Sequence, residues 1–145
     1  GLEDAYEQGR AMGTFAQDTA NEYQLTRENM DDYSVESLRR ANEAIKSGYF
    51  AAEVVPVTVA TRKGEVVVDT DEQPPKGNPD KIRELRAAFA KDGTITAASS
   101  SSISDGAAAV VLTRESVAKA KGAEPVARIV AMAAHAQEPK DFTIA

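Results

Sequence analysis

Apolar residues recur at helical spacing soon after the chain begins. Met12, Phe15, Ala16, Thr19, Ala20 and Tyr23 fall at i, i+3, i+4, i+7, i+8 and i+11, the stripe of a helix packed on one side. A second helix is predicted from Thr26, a natural N-cap, with Glu28, Asp31 and Asp32 near its positive end and Arg39, Arg40 and Lys46 nearer its C-terminal end. Its inward face would include Met30, Leu38, Ala41 and Ile45, and Gly48 would stop it where a left-handed residue is needed. The spacing then becomes that of strands. Glu53 to Ala60 and Glu65 to Asp69 read as a hairpin about the turn Arg62-Lys63-Gly64, with Arg62, Lys63 and Glu65 solvated. Pro56 lacks a ladder donor, so its strand belongs at an edge or a bulge.

Asp71 to Lys76 reads as an extended loop, because Pro74-Pro75 opposes a helix. Asn78-Pro79 is a cap followed by proline at the first helical position. The short helix it opens would present Ile82, Leu85 and Phe89 on one face and end at Asp92-Gly93. Thr94 to Ala98 is extended, and Ser99 to Ser104, with five serines in six residues, is a tight polar loop. Gly106 to Thr113 is a continuous apolar run, expected to be a strand buried on both faces, and Val126 to Ala134 reads as another. Ser116 to Lys121 is a helix closed by Gly122. The fold class is therefore α/β. Buried strands need parallel neighbours and helical cover, which few other segments here could supply. They are expected to pair with polypeptide outside this chain.

Composition changes the picture mainly by exclusion. The chain has 145 residues, 42% hydrophobic and 28% charged, which fits one soluble globular domain. No apolar run approaches a membrane span, and no leader peptide is evident. Cysteine is absent and His135 is the one histidine, which excludes a cysteine nucleophile or thiolate metal site within these residues. A net charge of −6 argues against phosphate-led nucleic-acid binding. The chain opens at Gly1 without methionine and stops at Ala145 without a helix stop signal, so both ends read as cut.

Several separated motifs resemble one family. The run Gly93-Thr94-Ile95-Thr96-Ala97-Ala98, followed by Ser101-Ser102-Ile103-Ser104-Asp105-Gly106-Ala107-Ala108-Ala109, is similar to the thiolase segment at the end of the loop domain. Leu2 to Gly13 resembles the stretch leading into the first loop-domain helix. Leu25-Thr26-Arg27-Glu28, Asp71-Glu72-Gln73-Pro74 and Leu85-Arg86-Ala87-Ala88-Phe89 follow in the expected order, and His135-Ala136-Gln137-Glu138-Pro139 resembles the start of the second core domain. The resemblance implies part of the thiolase fold, two core halves in an αβαβα layering with a loop domain inserted in the first. It assigns residues 1–103 to the loop domain, 104–124 to the last strand and helix of the first core half, and 125–145 to the start of the second.

The resemblance also implies a function. Thiolases move an acyl group between coenzyme A and a cysteine, then form or cleave a carbon–carbon bond. The family's catalytic cysteines, asparagine and histidine lie outside the matched stretch, so no catalytic residue is carried over. Binding residues are. Ser101 matches a serine that hydrogen-bonds the pantetheine arm; Leu85, Phe89 and Ala97 match positions lining the adenine and pantetheine groove; Met12 matches the pantetheine end. Lys76 falls, across a gap, near a cation that meets the nucleotide phosphates. Coenzyme A enters as substrate, with no separate cofactor. The implied parent is a cytoplasmic homodimer or homotetramer of fatty acid metabolism, completed by thiolase segments before and after this chain. Ser99 and Ser100 depart from the family's asparagine and small apolar residue, and Ala11 stands where some members have histidine.

Each signal has a plainer reading. The serine run could be a linker, Leu85 and Phe89 ordinary core, and Lys76 a solvated lysine. A Ser101–Asp105–His135 hydrolase triad lacks the glycine pattern of a nucleophile elbow. The alternative to an enzyme segment is a non-catalytic module that keeps the loop-domain fold to bind a nucleotide-like ligand or a protein.

Overall fold

The computed structural model describes residues 2–145. The chain forms two compact units, one running to Ser101 and the other from Ser102 to Ala145.

In the first unit a folded loop precedes the first helix. Glu3 and Ala11 form an antiparallel bridge, Asp4 donates its amide to the Arg10 carbonyl at 2.9 Å, and Met12 donates to the Leu2 carbonyl at 3.0 Å. The Asp4 carboxylate accepts the amides of Glu7 and Tyr6. Those bonds, the Glu7 amide foremost, hold its carboxyl below the usual aspartate range. Helix α1 is Met12–Glu22, buried at Phe15, Gln17 and Ala20. The predicted stripe supplies Phe15 and Ala20. Gln17 is a polar addition to it. The Arg10 guanidinium lies 3.6 Å from the centroid of the Phe15 ring and bonds Glu7 through both carboxylate oxygens at 2.9 Å.

Helix α2 is Arg27–Lys46, capped by Thr26, whose hydroxyl accepts from the Asn29 amide. Gly48 follows at φ +71°. The expected face of Met30, Leu38, Ala41 and Ile45 is half-buried, while the deepest positions are polar, Asp31 and Ser34. Both are satisfied. Ser34 donates to the Met30 carbonyl at 2.8 Å. Asp31, 3% exposed, accepts from the Arg27 guanidinium at 2.8 and 2.9 Å.

The hairpin forms, with a later start than the apolar pattern predicts. Strand β1 is Val57–Thr61 and β2 is Gly64–Val68, in antiparallel register from Val57 opposite Val68 to Thr61 opposite Gly64. Residues 49–53 are turns, with the Ala51 amide on the Gly48 carbonyl and the Glu53 amide on the Phe50 carbonyl. Pairing begins only after Pro56, which cannot donate to a ladder. Gly64 stands at φ +120°, which only glycine adopts freely. Every residue of both strands is exposed.

Two expectations for the following segment are corrected. Gln73–Lys76 is a helical turn, α3, rather than an extended loop. Its prolines occupy the first turn, where the missing amide would have had no partner anyway. Helix α4, Pro79–Ile82, is capped by the Asn78 side chain as expected but stops at Ile82, so Leu85 and Phe89 do not share a helix with it. The amide of Ala88 instead bonds the Ile95 carbonyl at 2.8 Å, a longer-range pairing that outweighs the local periodicity.

In the second unit, helix α5 is Glu115–Ala120, with Ala118 buried and Gly122 at φ +64° beyond its end. A 3-10 helix spans Pro139–Ile144. The predicted strands Gly106 to Thr113 and Val126 to Ala134 do not form here. Among the described residues neither stretch joins a ladder, and Val111 is 94% and Val130 90% exposed. A strand exists through a neighbour's backbone hydrogen bonds, and among the described residues no other segment makes one to these runs; Arg128 reaches Glu115 of α5 by its side chain alone, at 2.8 Å. Among the described residues no helix is long and apolar enough to cross a membrane.

Candidate functional site

Helix α1 organises one side of the first unit. Met12, its first residue, is half-buried. Next to it, Gly13 provides a seat for an aromatic ring: a Cβ there would lie 2.2–2.3 Å from Cζ, Cε1 and Cε2 of Phe89. The ring therefore rests on helix backbone, one residue from Met12. Phe89 keeps 36% of its surface exposed, so it is neither core nor free surface.

One turn further along, Gln17 is 6% exposed. Its carboxamide oxygen accepts the amides of Thr94 at 2.9 Å and Ile95 at 3.2 Å. Its nitrogen donates to Asn21 Oδ1 at 3.0 Å and Thr94 Oγ1 at 3.1 Å. All of these contacts fit one orientation of the amide, because the oxygen must face the two backbone donors. Gly93 makes room for it, since a Cβ there would sit 2.5 Å from the Gln17 oxygen.

Beyond Ile95 the chain closes on Thr96, which is fully buried. Its amide donates to Ser99 Oγ at 2.9 Å. The hydroxyls of Ser99 and Ser100 donate to its carbonyl at 3.3 and 2.7 Å. Its own hydroxyl accepts the Ala98 amide at 3.2 Å. Ser99 and Ser100 are thus committed to shaping the loop, while Ala97 and Ser101 are exposed on it. Leu85 is half-buried, with its amide on the Ile82 carbonyl at 3.2 Å.

Lys76 stands on other supports. It is exposed and pairs with Glu72 at 3.3 Å. Helix α3 rests on α2 through the Asn42 amide, which donates to the Pro74 carbonyl at 3.2 Å, and through Leu38, whose methyl carbons lie 2.6 Å from where a Gly77 Cβ would be. Arg27 of α2 also donates to the Ile82 carbonyl at 3.2 Å at the end of α4. Of the six expected site residues, then, Phe89 rests on Gly13, the residue after Met12 on α1, and the segment leading to Ala97 and Ser101 is tied to the same helix. Leu85 follows α4, and Lys76 is carried by α2. His135 is exposed, its Nε2 3.1 Å from Gln137 Oε1.

The packing roles of Gly13, Gln17, Gly93 and Thr96 emerge only from the structure. A glutamine on a helix and glycines at ordinary spacing give no sign that a distant segment needs them.

The chain is similar to known proteins along its whole length. The model of the family described as "Thiolase, N-terminal domain" matches residues 1–116. An acetyl-CoA acetyltransferase of Yarrowia lipolytica is 46% identical over 134 residues, 92% of this chain and 34% of that protein. Another, from Rhizobium meliloti, is 45% identical over 141 residues, 97% of this chain and 36% of that one. The crystal structure of the Bacillus anthracis acetyl-CoA acetyltransferase superposes with a TM-score of 0.91 at 40% identity, covering 99% of this chain and 36% of that one. The chain thus spans about a third of the length of the relatives it matches.

Proposed function

The chain belongs to the thiolase family and carries part of its α/β fold, and from that premise we propose that it is the coenzyme A-gripping segment of an acyl-CoA C-acyltransferase. The parent transfers an acyl group, here acetyl, between coenzyme A and a second acyl-CoA, forming or cleaving a 3-ketoacyl-CoA. The names of the relatives support the acetyl group. The parent's chemistry resides in residues outside this chain, which contains no cysteine. Coenzyme A thioester is its substrate, with no further cofactor. The parent is a homodimer or homotetramer of the cytoplasm, at work in fatty acid metabolism.

The observation that carries this reading is the arrangement about α1. The half-exposed Phe89 ring on Gly13, next in sequence to Met12, offers apolar surface. The Thr96-centred loop nearby in sequence leaves Ser101 exposed while its neighbours close the turn. A long, flexible ligand takes an apolar groove with a few placed polar groups. Lys76 supplies positive charge for the nucleotide phosphates. Its exposed pair with Glu72 is of the weak kind that phosphate can displace. The exchange of the family's asparagine for Ser99 does not dissolve the loop, because Ser99 and Ser100 both bond Thr96. The departures at Ser99 and Ser100 therefore give no ground for preferring a non-catalytic nucleotide- or protein-binding module.

The test is to exchange these 145 residues for the matching stretch of the Bacillus anthracis enzyme and titrate coenzyme A. Ser101→Ala in that whole enzyme is expected to weaken binding by roughly 0.5–1.5 kcal/mol, the net value of one hydrogen bond. Unchanged affinity removes Ser101 from the site.

A further inference from the structure

We infer that Gln17 is a positioning residue for the coenzyme A site, its buried carboxamide clamping the Thr94–Ile95 backbone to helix α1 and so fixing the loop that presents Ala97 and Ser101. The inference rests on the function proposed above and adds to it the device that holds the loop in place.

Three observations converge on it. Gln17 is 6% exposed, and a buried amide is costly unless its donors and acceptor are all used. Here they are: the oxygen takes the amides of Thr94 and Ile95, and the nitrogen gives to Asn21 and Thr94 Oγ1. Gly93, at the mouth of the clamp, has no side chain, and any Cβ would press on the Gln17 oxygen from 2.5 Å and on the Ala90 Cβ from 3.1 Å. The clamped residues are also immediately followed by Thr96, the fully buried hub on which Ser99 and Ser100 close.

A second contact between α1 and this segment is the Phe89 ring on Gly13. An apolar ring on a glycine permits sliding along the helix, whereas paired hydrogen bonds fix a register. The clamp is thus what sets where the loop sits along α1, and with it the distance between the ring and the serine hydroxyl.

The test uses the same grafted enzyme. Gln17→Met keeps the side chain's length and burial and removes the acceptor of the two backbone amides, together with the donor to Asn21 and Thr94 Oγ1. It is expected to raise KM for acetyl-CoA about tenfold, the loss of two net hydrogen bonds, with kcat changed less than threefold. Backbone amide exchange should quicken over residues 93–101 and stay unchanged in α2. Gln17→Glu, which retains acceptor oxygens for the two amides, should recover most of the affinity. Gly93→Ala, which leaves Gln17 in place but displaces its amide, should repeat the KM effect. KM within twofold of the parent graft in Gln17→Met overturns the inference, as does faster exchange spread evenly over the enzyme. If Gln17→Met does not fold, a normal KM in Gly93→Ala overturns it instead. Should Ser101→Ala weaken binding while the Gln17 and Gly93 variants do not, the clamp alone fails. Should none of them alter coenzyme A binding, the binding reading fails with it.

Discussion

Glu36 shows what a single side chain contributes on the surface of α2. It accepts from Arg39 and Arg40 at 2.7 Å each, and these hydrogen bonds, Arg39 first, lower its pKa from 4.5 to about 2. The sign follows from linkage: a carboxyl depressed in the folded state stabilises fully above its unfolded pKa, and that contribution disappears as pH falls from about 4.5 through about 2. Carbon-detected NMR of the Glu36 carboxyl should place its midpoint near the lower value, moving up in high salt because the trio is solvent-exposed. A midpoint at the ordinary glutamate value would mean that neither arginine holds it. Single residues of this kind are readable from sequence where their partners are local. Thr26, Asn78, Gly48 and Gly122 all act as foreseen, since a cap or a left-handed stop is decided within a few residues. Gln17 and Gly13 were not readable, because their partners lie some seventy-five residues away.

Among elements, the two long helices divide the work. Helix α1 holds residues 88–96 and α2 holds 73–83, the first through Gln17 and Gly13, the second through Arg27, Leu38 and Asn42. Arg27 is the strongest of the α2 ties, since it satisfies buried Asp31 and reaches the end of α4 with the same guanidinium. Arg27→Met would strand that carboxylate and remove one tie to α4, leaving the Asp32–Arg83 pair, at a cost of roughly 3 kcal/mol, the scale of breaking one side of a buried pair. A shift in the denaturant midpoint measures it, and a shift worth under 1 kcal/mol would show that the pair is idle. The apolar pattern located α1, α2, α5 and the hairpin. It overran at α4, because Ile82, Leu85 and Phe89 keep helical spacing although Ala88 has given its amide to Ile95. Periodicity records which residues face inward and is silent on a competing long-range partner.

For the whole molecule the same limit applies more strongly. The alanine-valine run after Asp105 and the run from Val126 were legible as apolar, but strand formation depends on neighbours that a single sequence does not display. In the second unit those runs lie open, with Leu112 72% and Met132 90% exposed. Extended apolar backbone without a partner recruits one. The isolated chain is therefore expected to associate, and analytical sedimentation checks this: a compact, stable monomer over a wide concentration range would contradict it. Helix α1 has a different consequence, one of phase. The ring seat at Gly13 and the amide clamp at Gln17 are set on one rigid rod by the helical repeat alone. Inserting a single residue between them would turn one against the other by about 100°, a mismatch no side-chain adjustment can absorb. An insertion in the turn between β1 and β2 leaves that angle untouched. Length variation in relatives of this segment should accordingly be tolerated at the hairpin tip and forbidden within this one turn of helix.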